Sequence, residues 1–81
     1  MMICPGKHLR ESRSLLGVGA HVLVLLESPM TVSRLWHDLK KMRAEERFPN
    51  VPFDWFVLSL DLLHILGLID YQRGRLGKVQ P

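Results

Sequence analysis

Phe53-Asp54-Trp55-Phe56-Val57-Leu58-Ser59-Leu60-Asp61-Leu62-Leu63-His64-Ile65-Leu66, followed at once by Gly67, is the stretch that decides the fold. Its length and apolar density predict a helix. Phe53, Phe56, Val57, Leu60 and Leu63 form one stripe at helical spacing. Trp55, Leu58, Leu62, Ile65 and Leu66 form a second, rotated around the axis. Asp54 falls in the first turn, where a carboxylate meets unpaired amides and the positive dipole end. Gly67 supplies a left-handed stop. Beyond it, Leu68 to Gln72 and Leu76 to Val79 can pair as a hairpin across Arg73-Gly74.

Upstream lies a second helix. Val32, Leu35, Trp36, Leu39 and Met42 recur at three- and four-residue steps, and Arg34, Asp38, Lys40, Lys41, Glu45 and Arg47 fill the other side. Ser33 or Thr31 caps it, and it runs to about Glu46. Phe48-Pro49-Asn50-Val51-Pro52 is the loop between the two helices. Met30-Thr31-Val32 reads as a short extended segment. A first helix is expected from Ser12 to Glu27, ended by Ser28-Pro29, because proline pushes its predecessor out of the α region. Gly17 and Gly19 weaken that helix. Their expected value is close approach by another element. The order is helix, short strand, helix, helix, hairpin. The fold class is mainly α with a small β-hairpin, winged-helix-like: three helices plus a C-terminal wing. The alternative is a three-helix bundle with a frayed tail.

The chain has 81 residues, enough for one domain. Residues 1–11, with Pro5 and Gly6, read as an N-terminal arm, and 12–81 as a single domain. Cys4 has no partner for an internal disulfide, which fits a reducing compartment and a cytoplasmic location. His21 interrupts one apolar segment, and Asp54, Asp61 and His64 interrupt the other, so neither spans a membrane. The net charge is +3, but residues 48–72 hold three aspartates and no Lys or Arg, while basic residues lie on both sides.

That layout speaks to function. In a DNA-reading helix-turn-helix the last helix offers Arg, Lys, Asn or Gln to base edges. The helix from Phe53 has none of these, and its two aspartates repel phosphate. Its apolar surface exceeds what one small core needs, so the surplus marks a protein interface, the alternative being that both stripes are core with Trp55 as a bulky lid. Trp55, Leu58, Leu62, Ile65 and Asp61 on this helix, with Gly17 on the first, are the expected docking residues. Arg73, Arg75 and Lys78 of the wing read first as a solvated basic tail, and the alternatives are nucleic-acid contact through phosphate alone or contact with an acidic partner. Enzymatic signals are missing. His8, His21, His37 and His64 do not fall at metal-site spacing with Cys4 or one another. Ser12, Ser14, Ser33 and Ser59 have no nucleophile setting, and Gly17 and Gly19 lack a phosphate-loop Lys-Ser/Thr. No catalytic residue, metal or cofactor is expected.

Thr31-Val32-Ser33-Arg34-Leu35-Trp36, Phe53 to Leu63 and Leu66-Gly67-Leu68-Ile69 together resemble the small middle component of ABC-three-component systems, closest in type to middle component 6. Pro5-Gly6-Lys7-His8-Leu9 and Arg13-Ser14-Leu15-Leu16 extend the resemblance over nearly the whole chain. It implies an adaptor without catalytic residues, working with an SMC/Rad50-like ABC ATPase and a third component in bacterial defence against phage or other invading DNA. The matching positions are Trp36, Phe53, Asp54, Phe56, Leu60, Asp61, Leu63 and Gly67. The resemblance implies capping and salt-bridge roles for Asp54 and Asp61, or a basic partner residue for Asp61. The rival reading is a free-standing winged-helix transcription regulator, and a homo-oligomer pairing its own apolar stripes is a third.

Overall fold

The computed structural model describes the backbone of residues 5–79 and the side chains of residues 15–79. It contains α1 (Pro5–Leu25), α2 (Val32–Glu45), α3 (Phe53–Ile65), β1 (Ile69–Gln72) and β2 (Arg75–Lys78).

α1 starts earlier than the sequence suggests. Its first residue is Pro5, not Ser12, so the arm expected over 1–11 is helical from Pro5 onward. Proline suits the first helical position, because its missing N–H would be unpaired there and its φ is already set. Residues 1–4 of that arm lie outside the described residues. Val18, Val22 and Leu26, at four-residue steps, are buried. α3 passes close to Gly19, where a Cβ built on it would lie 3.4 Å from Leu63 Cδ2, an ordinary contact that a methyl could also make. Gly17 has no such neighbour within 4 Å, so the close approach expected at both glycines is seen at Gly19 alone.

Met30 then pairs antiparallel with Leu76 through hydrogen bonds of 2.9 and 2.7 Å. This adds a short third rung to the sheet beside β2. Thr31 is the cap of α2, its hydroxyl accepting from the Arg34 amide at 3.2 Å. Leu35 and Leu39 are buried as the stripe requires, with Val32, Trp36 and Met42 half-buried around them. Trp36 stands 5.4 Å from the Phe53 ring and 4.9 Å from the Phe56 ring, joining α2 to α3.

α3 ends at a Schellman turn. Gly67, at φ 76°, donates to His64, and Leu68 donates to Leu63. The chain leaves into β1, which pairs with β2 in the register Ile69–Lys78 to Gln72–Arg75. Arg73 and Gly74, at φ 53° and 78°, make the two-residue primed turn that matches strand twist. Ile69 and Leu76 point into the core, where they meet Val18, Val22, Leu26, Leu35, Leu39, Phe56 and Leu63. The architecture is mainly α with a small antiparallel hairpin, and its order is winged-helix-like.

Candidate interaction surface

α3 divides its apolar residues between two sides. Phe56, Ser59 and Leu63 are buried, and α1 is the helix that packs most closely on α3. Ser59 is small enough for this contact, and its hydroxyl donates to the Phe56 carbonyl at 2.7 Å, so no polar atom is stranded. Outward along the helix run Asp54, Leu58, Asp61 and Ile65, all exposed. Leu58 is 50% exposed and Ile65 80%. Trp55 and Leu62 are half-buried beside them, and Leu66 is exposed at the helix end. The first stripe is not wholly covered either. Phe53 and Val57 are exposed, while Leu60 is half-buried. The expected docking residues Trp55, Leu58, Asp61, Leu62 and Ile65 thus share one helix, with the apolar surplus open to water.

Gly17 belongs to a separate apolar surface on α1. Leu16, Ala20 and Val24 follow one another at four-residue steps there, with Leu16 58% and Val24 62% exposed. Sequence reasoning singled out Gly17 and passed over Leu16 and Val24. Removing the Val18-Val22-Leu26 core stripe from the helix leaves them as a second row, and that was the signal available. Asp61 makes no salt bridge among the described residues, where the one ion pair is Arg34–Asp38 at 3.1 Å on α2. The salt-bridge role implied for Asp61 is therefore not met within this chain's described part.

The wing collects its cations around one groove. Arg73, Arg75 and Lys78 line an open depression of about 700 Å³ with Pro29, Asp70, Gln72, Gly77 and Val79. Pro29 closes one wall, lying 3.4 Å from the Cβ position of Gly77. The Asp70 carboxylate is occupied locally. It accepts from the Tyr71 amide at 2.8 Å and the Gln72 side chain at 3.3 Å. None of the three cations is ion-paired to a described residue.

Arg43 is the residue the sequence hid. It lies among charged residues on α2 and reads as surface, yet it is 8% exposed. Its Nη1 meets His21 Nδ1 at 3.2 Å, and its Nη2 donates to the Pro49 carbonyl at 3.3 Å. The guanidinium lies 5.0 Å over the Phe48 ring, and His21 meets that ring edge-on at 4.9 Å. Nε has no partner among the described residues. Burial pushes the pKa of this guanidinium below its ordinary value. The cluster clasps α1, α2 and the loop before α3. Beside it, Lys40 sits 4.9 Å over the Trp36 ring, and a cleft of about 60 Å³ opens between Trp36, Lys40, Arg43 and Asn50.

Among the described residues no three His, Cys, Asp or Glu stand together as metal ligands. Cys4 and His8 lie outside the described side chains. No described helix is long and apolar enough to cross a membrane. The family model for Middle Component 6 of the ABC-three-component (ABC-3C) system matches residues 4–79. The chain belongs to that family. No curated protein and no solved structure matches it. As a middle component 6, it is a non-catalytic adaptor in an ABC-three-component system, whose other members are an ABC ATPase and a third component. Function in such a part rests on surfaces, and α3, α1 and the wing are the three that stand out.

Proposed function

We propose that this middle component docks through the outer side of α3 onto the ABC ATPase of its system, an SMC/Rad50-like protein, and holds it in register with the third component. The assembly works in the bacterial cytoplasm against phage or other invading DNA. Trp55, Leu58, Asp61, Leu62 and Ile65 form the docking surface, with Gly17 on α1 as a second contact. The supporting observation is Ile65, 80% exposed on a helix with no Lys, Arg, Asn or Gln. A side chain that size gains about 1.5–3 kcal/mol when a partner covers it. A DNA groove would offer it nothing comparable. ATP hydrolysis belongs to the partner.

The test is co-expression with the neighbouring reading frames and co-purification. A defined hetero-complex forms with the unaltered chain, and Ile65→Asp abolishes it while leaving the free domain folded. A soluble monomer that ignores every neighbour-encoded protein refutes the proposal.

A second reading is favoured by the wing groove. Three cations around one depression, with no ion pair among the described residues, suit phosphate oxygens, so the assembled complex would touch a nucleic-acid backbone through Arg73, Arg75 and Lys78 without reading bases. Duplex binding that weakens steeply with salt supports it, and salt-independent binding or none removes it.

A further inference from the structure

We propose that the segment covering α3 is an amphipathic helix of a partner protein, carrying Lys or Arg two turns apart on either side of an apolar stretch. The proposal rests on the docking reading above and specifies the chemistry of its occupant.

The geometry begins with spacing. Asp54, Leu58, Asp61 and Ile65 follow one another at steps of four, three and four, and all four are exposed. Such steps keep side chains in one line along a helix. The line covers about 16 Å at 1.5 Å per residue, with half-buried Trp55 and Leu62 along one side and exposed Val57 along the other. Acid and apolar residues alternate along it. A second helix lying along α3 matches that shape, since rows at three- and four-residue steps are what helices interdigitate.

Charge then selects the occupant. Neither aspartate has an ion pair among the described residues. An apolar partner covering Leu58 and Ile65 would also cover Asp61 and strip its carboxylate of water, at a cost no apolar contact offsets. A cation placed opposite turns the same burial into a charge-assisted hydrogen bond. Asp54 and Asp61 are seven residues apart, about 10.5 Å along the axis. The matching cations therefore stand two turns apart, with an apolar residue between them to meet Leu58 and another one turn beyond the second cation to meet Ile65.

A second copy of this chain fits poorly. Residues 48–72 contain no Lys or Arg, so α3 against α3 sets aspartates against aspartates. On the outer side of α2, Arg34 and Lys41 stand two turns apart, but Arg34 is held by Asp38, and that aspartate sits between them where an apolar residue would have to meet Leu58. Nucleic acid fits worse, because phosphate meets only carboxylates along this line.

The test uses the full chain co-expressed with its neighbour-encoded partners. Complex formation is measured at low and high salt for the unaltered chain, Asp61→Lys, Asp61→Asn and Ile65→Asp. Cross-linking followed by mass spectrometry then locates the covering segment. The expected result is a loss of about tenfold or more in affinity for Asp61→Lys. Asp61→Asn should lose less, and high salt should weaken the unaltered complex. Reversing a cross-linked Lys or Arg of the partner to Glu should rescue Asp61→Lys. A complex broken by Ile65→Asp but indifferent to Asp61→Lys overturns the basic helix and leaves the docking reading standing. A complex indifferent to both variants overturns the docking reading itself. A homodimer that Asp61→Lys dissociates overturns the basic partner helix. All three variants change exposed residues, and an unaltered circular dichroism spectrum separates lost binding from lost folding.

Discussion

Arg43 meets Nδ1 of His21 through its Nη1 at 3.2 Å, tying α2 to α1 with a buried cation that has no carboxylate partner among the described residues. The guanidinium only donates, so Nδ1 must accept and the imidazole proton stands on Nε2. Removing the acceptor is then worse than removing both groups. His21→Leu leaves a buried donor unpaired and costs about 1–3 kcal/mol. Adding Arg43→Met recovers much of that loss, because the stranded charge goes with it. Urea midpoints at constant m-value measure both. A double variant no more stable than His21→Leu alone would show that Arg43 without His21 is not a stranded charge.

Two glycines two residues apart on α1 should behave in opposite ways. At Gly19 an added methyl would lie 3.4 Å from Leu63 Cδ2, an ordinary contact. Gly19→Ala is therefore tolerated and gains up to about 1 kcal/mol of helix propensity. Gly19→Leu forces α1 off α3 and costs about 1–3 kcal/mol. Gly17 faces open space, so Gly17→Leu leaves the isolated domain at least as stable. If Gly17 is a docking residue, the same change weakens the hetero-complex. Thermal melts and co-purification separate the two effects.

The parts of this fold that were legible are those set by local chemistry. Gly67 ends α3 and Arg73-Gly74 turns the hairpin, each through its own backbone preference, while α1 stops at Leu25, short of the Glu27 expected from Ser28-Pro29. The α2 stripe was legible because charged residues fill its other side. Pro5 was misread because proline both opens helices and breaks them, and only the following turns decide which. Arg43 was invisible because its burial depends on His21 and Pro49, brought together by tertiary structure. On α3 both stripes are apolar, so the pattern foretold a surplus. Which members are covered was fixed by the paths of α1 and α2: Phe56 and Leu63 went inside, while Phe53 and Val57 stayed out.

That division makes Leu63 and Ile65 a direct comparison. Leu63 is buried against α1, and Ile65 is almost fully exposed two residues later. Leu63→Ala should cost about 2–5 kcal/mol, the usual penalty for a core cavity. Ile65→Ala should stay within about 0.5 kcal/mol. In a domain this small each kcal/mol shifts the melting temperature by about 4–8 °C, so a melt resolves them. A large loss for Ile65→Ala in the isolated domain would mean that Ile65 is covered in the free protein.

Arg73 sets stability against charge. It occupies a left-handed position, φ 53°, at the tip of the wing, where Asn followed by Gly is the favoured pair. A long β-carbon-bearing cation is costlier there than Asn, which tolerates that region. Arg73→Asn should therefore raise the melting temperature by a degree or more, corresponding to a few tenths of a kcal/mol, about what turn chemistry supplies. The same change removes one of three cations around the wing groove. If those cations meet phosphate, duplex affinity at low salt falls, and the slope of log K against log salt becomes shallower by about 0.9. A stabilised wing with unchanged affinity and slope would separate Arg73 from any nucleic-acid contact.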